Sequence, residues 1–336
     1  MEERKSLFAQ LQERKLKPVR ALNNSRLSMY KKCNWLYKLY QMGVRSKVPY
    51  IPFSVGSLTH IMLAVFYKKK IYRESDPRFK EVMRILEDRW NRNIAFSVSP
   101  DYHKRLDRQF MIICGIAYGM MEQRIVEKDL DEFEVLQTES MLTAPLLHNV
   151  RWDGTPDIVL RSKALKELTH FDHKSTSVIN DSFMRNLAVG VELEGDKLLI
   201  EQLFKEKVKY GYYNILQKHR FQERKGETRE AMAQRIVETY RGTKFHFRYK
   251  KDYDKLGQEN YINQQHHWIR QLQESHMNNR FPMNDESCVG FYDCQMLDFC
   301  SKKEDHIFKN FYQIVKKEKA NGKTTSSATK KLHRRN

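Results

Sequence analysis

Between Trp152 and Ser175 the chain reads WDGTPDIVLRSKALKELTHFDHKS. Two short apolar runs, Pro156 to Leu160 and Leu168 to Lys174, flank a turn that holds Arg161, Ser162 and Lys163. Such runs, bounded by polar turns, read as strands. Side chains alternate along a strand, so Asp172 and Lys174 share one face while Phe171 and His173 take the other. Paired as a hairpin, the two strands let Asp157 approach Asp172. Two carboxylates in a partly buried place repel each other unless a cation lies between them. The hard-oxygen set suits Mg2+ or Mn2+. A lysine beside that ion can orient or deprotonate a water, or neutralise charge developing on a phosphate. Asp-x-Lys alone would mark only a solvated strand face. The wider frame, Gly154-Thr-Pro-Asp157-Ile-Val and then Phe171-Asp-His-Lys174-Ser, predicts a metal-dependent site for phosphodiester chemistry.

Before this segment the pattern is mostly helical. Leu27 to Tyr40 and Val55 to Tyr67 place apolar groups at helical spacing. Asp76-Pro77 is a cap followed by a first-position proline, opening a stripe of Phe79, Val82, Ile85, Leu86 and Trp90. Arg105 to Lys128 predicts one long helix, and Phe133 to Gln137 a strand. After it, Leu198 to Phe221, Thr228 to Tyr240 and Glu259 to Met277 predict helices. Lys244 to Lys251 alternates Phe245, Phe247 and Tyr249 with basic residues, which predicts a strand. Lys316 to Asn336 holds eight lysines and arginines against Glu318 alone and lacks apolar periodicity, which predicts a disordered basic tail. The divisions are then an extension (1–24), a helical part with the first cysteine (25–130), an α/β core with the later cysteines (131–315) and the tail (316–336).

The formal net charge is +19, of which +7 lies in the tail. A balance so far from zero implies a polyanionic partner, most often nucleic acid. Lys68-Lys69-Lys70 and the basic face of Lys244 to Lys250 are candidate phosphate contacts. Some of the 17 tyrosines and 18 phenylalanines could stack unpaired bases. No run approaches the roughly 18 to 20 apolar residues of a membrane helix. The start, MEERKSLFAQLQERK, has neither apolar stretch nor cleavage site, so no secretory leader is expected.

Five cysteines are present: Cys33, Cys114, Cys288, Cys294 and Cys300. The number is odd in a long chain with no leader, which argues against a disulfide framework. Three of the five are spaced Cys288-x5-Cys294-x5-Cys300, and that points to metal. Cys114, in MIICGIAYGM, reads as plain core.

The Asp157 and Asp172-x-Lys174 frame resembles the RecB-like branch of the PD-(D/E)XK nucleases. The resemblance implies a restriction-endonuclease-like α/β core, a central mixed sheet flanked by helices, with a helical N-terminal part and a cysteine-ligated C-terminal clamp. That branch adds a histidine in a Gly-x-x-x-His setting, and Gly56-Ser-Leu-Thr-His60 matches it. His60 would then join Asp157, Asp172 and the carbonyl of His173 around the metal. The branch also carries a glutamine and a tyrosine four residues apart on the helix after the lysine strand. Gln202 is the candidate glutamine, but Glu206 stands four residues on, and Tyr210 is the nearest downstream tyrosine. An iron–sulfur subgroup, including AddB, CRISPR-associated exonucleases and phage relatives, has one cysteine before the core and three after. This implies a 4Fe–4S cluster on Cys33, Cys288, Cys294 and Cys300. The same thiolates would suit structural Zn2+, although the spacing departs from Cys-x2-Cys knuckles. The implied activity is Mg2+/Mn2+-dependent hydrolysis of DNA, as an exonuclease on single-stranded ends. The implied setting is the cytoplasm of a bacterial or phage-infected cell, with a helicase or recombination partner. A non-catalytic DNA-binding subunit and an RNA-processing nuclease are the alternatives.

Overall fold

The computed structural model describes residues 6–47, 51–94, 100–147, 149–288 and 294–315. The expected basic tail lies outside them. In chain order the first elements are α1 (Leu7–Glu13), β1 (Ala21–Leu22), α2 (Asn24–Lys32), α3 (Asn34–Gln41), β2 (Val44–Ser46), α4 (Ile51–Lys69), α5 (Pro77–Ile94), α6 (Pro100–Glu122) and α7 (Ile125–Glu132). There follow β3 (Phe133–Thr138), β4 (Leu142–Leu147), β5 (Val150–Gly154), β6 (Ile158–Ser162), β7 (Leu168–Thr176), α8 (Asp181–Val189), α9 (Glu192–Phe204), β8 (Tyr210–Gln217), α10 (Arg229–Gly242), β9 (His246–Asp252) and α11 (Lys255–Asn278). The last are α12 (Leu297–Lys302), α13 (Asp305–Phe311) and β10 (Tyr312–Ile314).

The main sheet has five strands in the order β3-β6-β7-β8-β9. β6 and β7 form the expected antiparallel hairpin, with Ile158 opposite Phe171. β7 and β8 run parallel, which requires a crossover, and α8 and α9 supply it. The sheet is mixed and flanked by helices, the α/β class expected.

Among the described residues two large apolar cores lie on the layers around this sheet, with a smaller third of Leu187, Leu193, Tyr213 and Ile215. The first gathers α4 to α7, α10 and the Phe171 side of the sheet, and it buries Phe66, Phe79, Trp90 and Tyr240. The second joins Phe8, Trp35 and Leu39 near the N-terminus to Ile269, Phe299 and Phe308 near the C-terminus. Phe8, Leu11 and Leu22 are buried there, so residues 7–22 are part of the packed body.

Three expected helices are cut by the structure. Leu27 to Tyr40 breaks at Cys33, whose extended backbone (φ −159°, ψ 115°) ends α2 and caps α3. Arg105 to Lys128 breaks at Arg124, in the left-handed region at φ 54°. The helix predicted over Leu198 to Phe221 ends at Phe204, closed by left-handed Lys205, and Tyr210–Gln217 is β8 instead. The reason is burial: β8 lies between β7 and β9 and is apolar on both faces, so its run lacks the alternation that marks a half-exposed strand. The aromatic residues of YGYYNILQ favour a pleated setting. The β4–β5 hairpin was not anticipated.

Candidate metal centre and cysteine cluster

The β6–β7 hairpin brings Asp157 and Asp172 to one end of the sheet. Both are buried. Phe171 and His173 face α4: their rings meet Tyr67 at centroid distances of 6.4 and 5.9 Å. Asp172 and Lys174 face α9, and their side chains pair at 2.8 Å. The alternation expected from the sequence is therefore present.

His60 approaches from α4. Its Nδ1 lies 2.9 Å from Asp157 Oδ1 and 3.6 Å from Glu139 Oε1. The other Asp157 oxygen accepts the His173 backbone N–H at 2.6 Å. Glu139 sits in the β3–β4 turn at φ 45°. Its backbone N–H donates to the Asp157 carbonyl at 3.0 Å, fixing the turn against β6. Ligand atoms of His60, Glu139 and Asp157 all lie within 4.8 Å of one another. One nitrogen and two carboxylates at that separation fit a divalent cation.

From the other layer, α9 presents Glu192 and Asp196. Lys174 Nζ lies 3.1 Å from Glu192 Oε2. Burial and the charges of Asp172 and Asp157 push the Asp196 carboxyl well above the usual range. These two residues are four apart on one helix, so they share a face.

Charge is unevenly held in this site. Burial would lower the His60 pKa, but bonds and charges from Asp157 and Glu139 hold it up at about 10. Burial favours the neutral form of Asp172 and lifts it to about 6, against the pull of Lys174. Burial would also strip Lys174 of its proton, but Asp172 and Glu192 overcome this and raise its pKa above the ordinary lysine value.

Gln202 and Tyr210 do not share a helix. Gln202 is exposed on α9. Tyr210 opens β8, with its ring against Tyr212 and 4.5 Å from Lys250 Nζ. Among the described residues no hydrogen bond or ion pair joins either to Asp157, Asp172 or Lys174. The residues that reading the sequence missed are Glu139, Glu192 and Asp196. Glu139 carries no spacing signal, because a turn places it. Glu192 and Asp196 do show the four-residue spacing sought with Gln202, only ten residues earlier than that search began.

The four cysteines converge as well. Cys33 Sγ accepts the Leu36 N–H at 3.5 Å. The Trp35 backbone N–H donates to the Pro282 carbonyl at 3.2 Å, and the Cys294 N–H to the Cys288 carbonyl at 2.9 Å. Cys300 lies on α12. Burial raises the thiols of Cys288, Cys294 and Cys300, and the nearby cysteine sulfurs, Cys33 among them, raise them further. The Cys300 thiol reaches about 12. The buried indole N–H of Trp35, two residues from Cys33, finds no hydrogen-bond partner among the described residues. Four cysteines from both ends of the chain fit a thiolate-held metal group. Cys114 is apart from them, packed against the first core.

The sequence pattern of the PD-(D/E)XK nuclease superfamily matches residues 21–301. The chain belongs to the PD-(D/E)XK nuclease superfamily. Its mixed sheet and flanking helices are the restriction-endonuclease-like core of that superfamily. Among solved structures, one similar chain is titled "Putative exonuclease" and comes from Eubacterium rectale. It is 10% identical, with a TM-score of 0.41, covering 93% of this chain and 92% of that one. No curated protein matches this nuclease. No helix among its described residues is long and apolar enough to cross a membrane.

Proposed function

We propose that this nuclease hydrolyses DNA with the help of Mg2+ or Mn2+, acting as an exonuclease on single-stranded ends. The observation that carries the reading is the meeting of His60, Glu139 and Asp157 beside the Asp172–Lys174 pair. In this reading Asp157, His60 and Glu139 hold the ion, with Asp172 and the His173 carbonyl completing its oxygen set. A divalent ion there supplies Lewis acidity toward the phosphate and a lowered pKa for a bound water.

The protein's own groups divide the remaining work. Asp172 and Glu192 favour the charged form of Lys174. Its ammonium offsets charge that develops on the phosphoryl oxygens during attack. Glu192 and Asp172 hold that ammonium from two sides, so its position is set before substrate arrives. Asp157 orients His60 through one oxygen and the backbone of His173, next to Lys174, through the other.

Cys33, Cys288, Cys294 and Cys300 hold a 4Fe–4S cluster in the same proposal. Its role is to fasten the helical N-terminal part to the C-terminal segment, and no redox step is required. The domain limits 25–130 and 131–315 follow the same division. A brown protein absorbing broadly near ~400 nm supports the cluster. A colourless protein with stoichiometric zinc replaces it with a zinc site.

The test is cleavage by the purified chain of end-labelled single-stranded DNA, duplex DNA and RNA, with Mg2+ and with Mn2+. Stepwise shortening of single-stranded DNA that stops on chelation is the expected result. Preference for RNA, or internal cuts only, would replace the substrate part of the proposal.

A further inference from the structure

Away from the carboxylates, a cavity of about 500 Å3 opens between α3, the end of α1 and the residues that follow α11. Trp35, Lys38, Arg280 and Phe281 line it. Lys38 is only 1% exposed. Its Nζ donates to the Gln12 carbonyl at 2.6 Å and to Asn279 Oδ1 at 2.9 Å. The same ammonium lies 5.6 Å from the Trp35 ring centroid and 5.3 Å from that of Phe281. All four partners are uncharged, and among the described residues no carboxylate pairs with Lys38.

A buried ammonium without a counter-ion costs several kcal/mol. Two acceptors and two ring faces offset part of this. An anion in the cavity would offset the rest, because a charge under a low-dielectric wall acts strongly at short range. Arg280 lies exposed at the mouth of the same cavity. Its guanidinium makes no hydrogen bond or ion pair among the described residues, so a five-donor fork is open to a phosphate. The rim is basic too. Arg14, Lys15 and Lys17 are exposed on the segment after α1. That segment is held in place by Asn279 Nδ2 donating to the Glu13 carbonyl at 3.2 Å and by the His276 ring on the Lys17 carbonyl at 2.9 Å.

We infer that this cavity is a phosphate subsite for a nucleic-acid strand, with Arg280 as the direct contact and Lys38 as a fixed positive charge beneath it. It rests on the nuclease reading only for the identity of the polyanion. Trp35 is two residues from Cys33, and its backbone is tied to Pro282 at the cavity wall. The cysteine cluster therefore anchors the subsite, which would grip the strand apart from the point of cleavage.

The test measures fluorescence anisotropy of a labelled oligo-dT across a salt titration, in an Asp172→Asn background that prevents cleavage. Arg280→Gln should weaken binding about 5- to 10-fold at low salt and lower the slope of log K against log salt by about 0.7, the share of one phosphate on a single strand. Lys38→Met should act in the same direction. Inorganic phosphate at millimolar concentration should compete, and the loss of competition in Arg280→Gln should match the loss of oligo-dT binding. Unchanged affinity and slope in Arg280→Gln would overturn the subsite, even if Lys38→Met proved unstable. Competition by poly-glutamate but not by phosphate would also overturn it, in favour of an acidic protein partner. A wild-type chain that cuts no nucleic acid but shows the Arg280-dependent slope would refute the cleavage proposal and leave the subsite standing.

Discussion

His60 Nδ1 and Asp157 Oδ1 lie 2.9 Å apart although 97 residues separate them in the chain. The contact joins the α4 layer to the first strand of the lysine hairpin, and Glu139 closes around it from a turn. His60→Ala removes one ligand from between two carboxylates. The expected result is a fall of about 100-fold in kcat/KM with either Mg2+ or Mn2+, since a ligand is lost and the geometry around the ion with it. Equal activity in the variant and the wild type would remove His60 from the site.

Lys174 is the positive member of a group that includes Asp172, Glu192 and Asp196. Lys174→Met should lower kcat by about 100- to 1000-fold with little change in KM, as expected of a group that acts on transition-state charge. It also leaves carboxylates facing one another. The variant should melt below the wild type in EDTA, and the gap should narrow when Mg2+ is added. A KM defect with normal kcat would assign Lys174 to ground-state binding.

Glu139 is exposed at φ 45° and contacts His60 across the site. Glu139→Gln keeps the side-chain shape and removes the charge. Calorimetric titration with Mn2+ should show affinity reduced by about 10-fold, in the range found when a metal site's supporting groups are altered. Unchanged Mn2+ affinity would leave Glu139 as a turn residue only.

Behind the lysine strand, Asp129 bridges Arg248 at 2.6 Å and the hydroxyl of Tyr67. Asp129 is buried, and the Arg248 side chain is 23% exposed. Asp129→Ala leaves a partly buried guanidinium without its partner, at a cost of about 3 kcal/mol. Urea denaturation of the two proteins measures this, and a difference below about 0.5 kcal/mol, the size of a neutral surface change, would contradict it.

His246 is pushed down to about 3 by burial and by the Arg248 charge, and its Nε2 contacts Asn214 Oδ1. The folded state keeps this ring neutral where the unfolded chain, near pKa 6.5, takes up a proton. Its contribution is therefore complete above about pH 6.5 and is lost as pH falls below that value. His246→Gln keeps a donor to Asn214 without the titration. Between about pH 6 and 4 the stability of the wild type should fall faster than that of the variant by about 1.4 kcal/mol per pH unit. Parallel curves would mean that His246 protonates in the folded protein.

Sequence alone revealed the hairpin because both of its strands are short, bounded by turns and marked by Asp157 and by Asp172-x-Lys174. It located the cysteines by spacing, and Cys33 stands where helical periodicity hid a break. Sequence reading failed at Tyr210–Gln217 because a strand buried on both sides lacks the apolar/polar alternation of a half-exposed one, and such a run imitates a buried helix. That error carried Gln202 and Tyr210 onto one helix and hid Glu192 and Asp196. Glu139 was illegible for another reason: its place depends on a left-handed turn and on a hydrogen bond to Asp157, and neither has a signature at that spacing.

The most direct test of the whole account compares wild type, Asp157→Asn and Lys174→Met on one end-labelled single-stranded DNA with Mn2+. The wild type should shorten the strand, and each variant should be slower by at least about 100-fold while folding and binding DNA as before. Cleavage by either variant at the wild-type rate would contradict the site described here.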